Sequence, residues 1–207
     1  FAAAPTTTEQ RIQRLLQSIA DHAVRISQTL AYAQAQNNNH LLSEAAGLYT
    51  AGIFIPKHPQ AEKWRAAGWK WFNHGVQNQI QVDGAYCQHS TNYHRLMLQL
   101  AVWFNLLAEQ QGQKLPDRTW QSLVMATNWL LRLVDPESGR VPNLGPNDGA
   151  YIQPLSACPH SDYRPVLQTA ASVFLGKRPF TSGIWDETSL WLSERTQAGN
   201  LQLTNLS

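Results

Sequence analysis

Apolar residues recur along most of this chain at the three-to-four-residue spacing of a helix with one buried face. Ile12, Leu15, Leu16, Ile19, Ala23, Ile26 and Leu30 keep that period. Thr7 or Thr8, followed by Glu9 and Gln10, supplies a cap and a polar first turn. The next apolar run predicts a second helix over 41–54, stopped by Pro56 and Pro59. A third is predicted over about 60–82, carrying Trp64, Trp71 and Phe72, and Asp83-Gly84 ends it in a turn. A fourth covers about 92–111, with Tyr93, Leu96, Met97, Leu100, Trp103, Phe104 and Leu107 on one stripe. The fifth follows Pro116-Asp117 and carries Trp120, Leu123, Val124, Leu130, Leu131 and Val134. Two shorter helices are predicted over about 166–175 and 186–194. The period of two that marks a half-buried strand is sustained nowhere. Successive helices with short connections predict an all-α fold of antiparallel helix pairs.

Two interruptions stand out. "NNNH" at 37–40 puts three asparagines and a histidine between two helices. Asn competes with the backbone for hydrogen bonds, so the stretch suits a loop or a helix start. Residues 135–165, rich in Pro, Gly, Asn and Asp, read as one long loop. A loop of that length is uncommon in a compact domain unless it has a function or is disordered.

Composition narrows the function. Hydrophobic residues make up 43% of the 207, enough for a real core. Only 14% are charged, and Gln and Asn carry much of the polarity instead. The net charge of +2 is no clustered basic footprint, so no nucleic-acid partner is expected. No stretch is apolar and long enough to predict a transmembrane segment. Cys87 and Cys158 fit no metal spacing, so no metal is expected; they read as free thiols or one disulfide. The eight tryptophans are core residues or aromatic walls for a ligand such as a sugar ring. The start, "FAAAPTTTEQ", is not an intact signal peptide and reads as a processed or cut N-terminus.

The candidate chemistry sits at helix beginnings. Asn39 and His40 open one helix; His89, Asn92, Tyr93 and His94 open another. Helix N-termini present free N–H groups and the positive end of the helix dipole, and so favour anions. A uronic acid would suit such a place. Its acidic hydrogen lies on the carbon that bears the carboxylate, and removing it builds negative charge on the carboxylate oxygens. Amide and imidazole donors would stabilise that charge, and a tyrosine hydroxyl could move protons at the ring carbon or the leaving oxygen. Each residue also has a plainer role: Asn39 an N-cap, His40 a satisfied helix-start histidine, Tyr93 a core residue with its hydroxyl tied off.

Four segments, "NNNHLLSEAAGLYTAG", "DGAYCQHSTNYHRLML", "GPNDGAY" and "WDETSLWL", resemble the heparinase II/III-like polysaccharide lyases in order and rough spacing. The resemblance runs from about residue 9 to 195. It implies an (α/α) toroid, of which this chain would form part as one helical domain. It also implies β-elimination on an acidic polysaccharide or oligosaccharide, without a cofactor. Asn39 and His40 match residues that neutralise the uronate carboxylate, and Tyr93 matches the catalytic tyrosine, which acts as acid and in some members as base. The resemblance sets Glu44, Gln88 and the loop residues Asn147 and Asp148 beside the saccharide, and His89, Asn92 and His94 at the other helix start are expected to join them. That family also carries a C-terminal β-sandwich that completes the cleft and adds a further histidine or tyrosine; nothing after Trp191 resembles it, so that domain is expected elsewhere in the same protein. Such a substrate favours a periplasmic or secreted setting. Two other functions remain open on the residues alone. One is a non-catalytic acidic-polysaccharide-binding or scaffold domain. The other is a hydrolase, for which Asp83, Asp148 and Glu44 are the available carboxylates, none paired by local spacing.

Overall fold

The computed structural model describes residues 4–197, with side chains described as far as Leu192. Among the described residues the fold is all-α: seven α-helices, one short 3-10 turn and no named strand. The chain forms two compact units, Phe1–Gly75 and Val76–Ser207.

In the first unit α1 (Glu9–Gln36) turns back into α2 (Asn39–Phe54), and the pair packs as an antiparallel hairpin. Thr8 caps α1 by accepting from the Arg11 amide. The three asparagines divide the turn between them. Asn37 closes α1 in the left-handed region (φ 45°), which Asn tolerates better than most residues. Asn38 caps α2, its Oδ1 accepting from the His40 amide at 2.9 Å. Asn39 is the first helical residue, so the capping bond belongs to its neighbour. The core of this unit is built of small and aliphatic residues: Ala20, Ala23, Leu30 and Ala33 from α1 meet Leu41, Leu48 and Ala51 from α2, with Trp64 from α3 (Ala61–Gln79). Gly68 lets α3 approach α2 closely, since a Cβ there would lie 2.5 Å from the Ala45 carbonyl oxygen.

The second unit is built round α4 (Thr91–Gln110), in which only Tyr93, Trp103, Glu109 and Gln110 escape burial. Against it pack α5 (Asp117–Leu131) and α6 (Arg164–Leu175), and α7 (Glu187–Gln197) packs on α6. The predicted helices are therefore present, with ends a few residues short of the apolar pattern at α3 and α5. The Asp83-Gly84 turn forms as expected, its Asp83 carboxylate accepting from the Ala85 amide. Neither cysteine is in a disulfide, and both are half-buried.

Residues 133–163 contain no helix, and part of that loop is strapped over the first turn of α4. The Thr91 amide donates to the Leu144 carbonyl at 3.1 Å, and its hydroxyl donates to Pro142. The Ser90 hydroxyl donates to the Pro146 carbonyl, and the Asn92 amide side chain to the Ala150 carbonyl. Gly145 makes the close approach possible: its φ is +68°, and a Cβ there would sit 2.2 Å from the His89 carbonyl oxygen.

Candidate functional site

Two groups of the singled-out residues result, one in each unit. In the first, His40 is exposed, Asn39 is half-buried, and Glu44 follows His40 by four residues on α2. Burial pushes the Glu44 carboxyl above its ordinary value, and the nearby His40 pulls the other way. Its Oε2 is buried and accepts no hydrogen bond within the protein. A carboxyl in that state takes a proton, or an outside donor, more readily than a solvated one does.

In the second group, Ser90 caps α4 by accepting from the Tyr93 amide. His89 just before it sits in the left-handed region with φ 49° and is exposed. The amides of Thr91 and Tyr93 are thus taken by Leu144 and Ser90, which corrects the expectation that this helix start offers them to an anion. What it does offer is the Tyr93 hydroxyl, which donates to Asp148 Oδ2 at 2.6 Å in an exposed position. Asp148 is held in turn: its Oδ1 accepts from the Ala150 amide, and Asn147 beside it bonds to Asn143 and to the Gly149 amide. The hydrogen bond from Tyr93 and that from Ala150 hold the Asp148 carboxyl below its usual range. The same contact pushes the Tyr93 phenol above its usual value.

His94 and Asn92, expected beside the saccharide, lie in the core. Adjacent residues on a helix point about 100° apart, so with Tyr93 facing outward its neighbours turn in. His94 is 1% exposed, stacked on Trp129, with Nε2 on the Ala126 carbonyl at 2.9 Å. Burial lowers its pKa to about 4, so it is a neutral imidazole. Asn92 spends its amide on Ala150 and its oxygen on Arg95. Gln88 is half-buried, and Asn147 is exposed.

Nothing in the residue pattern singles out Arg95. It is fully buried, its guanidinium lying over the rings of Tyr151 and Tyr163 and donating to Asn92 and to the carbonyl and Nε2 of His160. Those partners tie the far part of the long loop to α4. Further along, a hollow of about 280 Å³ lies between loop residues 152–155 and the rings of Trp103 and Trp191. Among the described residues no group of three His, Cys, Asp or Glu could hold a metal ion, and no helix is long and apolar enough to cross a membrane.

A model of the Heparinase II/III N-terminus family matches residues 1–157. A heparin-sulfate lyase of Bacteroides thetaiotaomicron is 40% identical over 63 residues, which are 30% of this chain and 9% of that protein. A heparin-sulfate lyase of Bacteroides stercoris is 32% identical over 94 residues, 45% of this chain and 14% of that protein. The matched stretches are thus a small part of both relatives. No solved structure matches the chain.

Proposed function

The chain belongs to the heparinase II/III family, and from that premise we propose that it is the helical portion of a lyase that cleaves uronic-acid-containing polysaccharide by β-elimination. The observation that carries the reading is Tyr93: an accessible phenol at the start of a largely buried helix, its O–H donating to a fixed carboxylate. Asn39 and His40 hold the uronate carboxylate and stabilise the charge that grows there as the neighbouring C–H bond breaks. Tyr93 gives its proton to the leaving glycosidic oxygen as the C–O bond breaks, leaving a carbon–carbon double bond in the sugar. The base is Tyr93 itself or a residue outside this chain, for which the family's β-sandwich domain is the source. Glu44, Gln88, His89 and Asn147 remain as saccharide contacts. As one of a set of groups that act together, Tyr93 removes most of the activity when it is lost.

The test uses the full-length protein on heparan sulfate, chondroitin and alginate, followed by the absorbance of the unsaturated uronate. The expected result is a rise with the parent on at least one polymer and none with Tyr93→Phe, at unchanged saccharide affinity. Full activity of the variant sinks the reading. The hollow lined by Trp103 and Trp191 favours a second reading, a non-catalytic saccharide-binding domain, because aromatic faces are natural platforms for sugar rings. Binding without elimination by the parent would select it.

A further inference from the structure

Among the described residues, the tie between Tyr93 and the long loop joins two side chains in an exposed position. The others run to loop carbonyls from Ser90, Thr91 and Asn92, all buried. They would hold the loop on α4 without it. Asp148 is also fixed from its own side, by the Ala150 amide on Oδ1, so that Oδ2 is left for the phenol. Asp148 is the charged group that acts on this hydroxyl. On α4 itself His94 turns to Ala126 and Arg95 to His160, both in the core, and His89 at the foot of the helix is exposed.

We infer that Asp148 is a positioning residue for Tyr93, fixing its hydroxyl and keeping the proton on it, so that Tyr93 serves as the acid of the elimination and the base is another group. The inference rests on the lyase reading above. Ionising the phenol would place a second negative charge 2.6 Å from the carboxylate and lose the hydrogen bond between them. The alternative is that Tyr93 takes the carbon-bound proton while passing its own to Asp148. Ordinary tyrosine and aspartate differ by about six pKa units, a factor of about 10⁶ against that transfer. The shifts of both groups widen the gap further. As an acid, Tyr93 needs only to rotate its O–H from Asp148 onto the leaving oxygen. The balance then closes: the base takes the carbon-bound proton, the C–O electrons leave with the oxygen, and the phenol proton ends on that oxygen.

Asp148→Asn keeps the shape and a weaker acceptor while removing the charge. Phenolate absorbance is titrated in the full-length protein, and Tyr93 is isolated by subtracting the curve of the matching Tyr93→Phe protein. The Tyr93 midpoint is expected to fall by about one pH unit in Asp148→Asn and to return in Asp148→Glu. The alkaline limb of kcat/KM is expected to move down with it. An unchanged midpoint overturns the inference and leaves Asp148 as a loop tie alone. So does loss of activity with both midpoint and limb unmoved. These outcomes are separable from failure of the lyase reading, which an active Tyr93→Phe protein would show while the titration still reports on Asp148.

Discussion

Acidification from pH 7 to 5 sets the folded protein against His94. Its Nε2 faces the Ala126 carbonyl, so the ring is neutral with a lone pair on Nδ1, and that atom is buried with no partner. A second proton would have to go onto Nδ1, in a slot formed by Trp129 and the edge of Tyr86. Burial therefore brings the pKa from 6.5 to about 4. The unfolded chain takes up the proton near 6.5 and the folded one does not. Stability is thus full above 6.5, falls as the pH drops below it, and stops falling from this source below about 4. Integrating between these values gives a loss of about 2 kcal/mol at pH 5 and about 3 kcal/mol at the acid limit. His160 is shifted in the same direction, by burial and by the Arg95 charge, so the comparison needs a variant. His94→Phe keeps a ring against Trp129 and removes the titration. Urea unfolding followed by tryptophan fluorescence at pH 7 and pH 5 should show the parent losing about 2 kcal/mol more than the variant. Equal losses in the two proteins would refute the argument.

Two substitutions probe the loop. Arg95→Met removes the donor from Asn92 and His160 and the cation from between Tyr151 and Tyr163. It is expected to cost roughly 2–4 kcal/mol in urea unfolding and to open residues 151–160 to protease. A protein that keeps its stability and resists cleavage would show that this buried cation does not hold the loop. Gly145→Ala meets the His89 backbone and must hold a positive φ, worth about 1–2 kcal/mol by itself. Its signature is faster hydrogen exchange at the Thr91 amide, which the strap protects through Leu144. Unchanged exchange there would mean that the strap does not depend on this close approach.

The helices were legible because their apolar spacing is regular, and the Asn-rich break because Asn is poor inside a helix and good at its ends. Which asparagine caps was not legible: Asn37, Asn38 and Asn39 are chemically equal, and only backbone geometry separates them. Tyr93 and Asp148 could each be singled out, but not their pairing, since 55 residues of chain lie between them and no local period links a helix start to a loop. Arg95 escaped notice because arginine on a helix ordinarily reads as solvent-facing. His94 lies on the buried side of its helix, which its neighbours in the chain do not reveal. Its place beside Tyr93 in the chain counts for less than the angle between them, and α4 is buried on nearly every face.

The two-residue link between α1 and α2 has a consequence for how this sequence can vary. Asn37 and Asn38 are both committed, one to ending a helix and one to starting the next. No slack remains to absorb a change of length. Adding or deleting one residue would rotate the whole of α2 by about 100°. Asn39, His40 and Glu44 would swing together to a different face, while Leu41, Leu48 and Ala51 left the core. Substitutions can sample this turn one side chain at a time; a change of length alters the phase of everything after it at once.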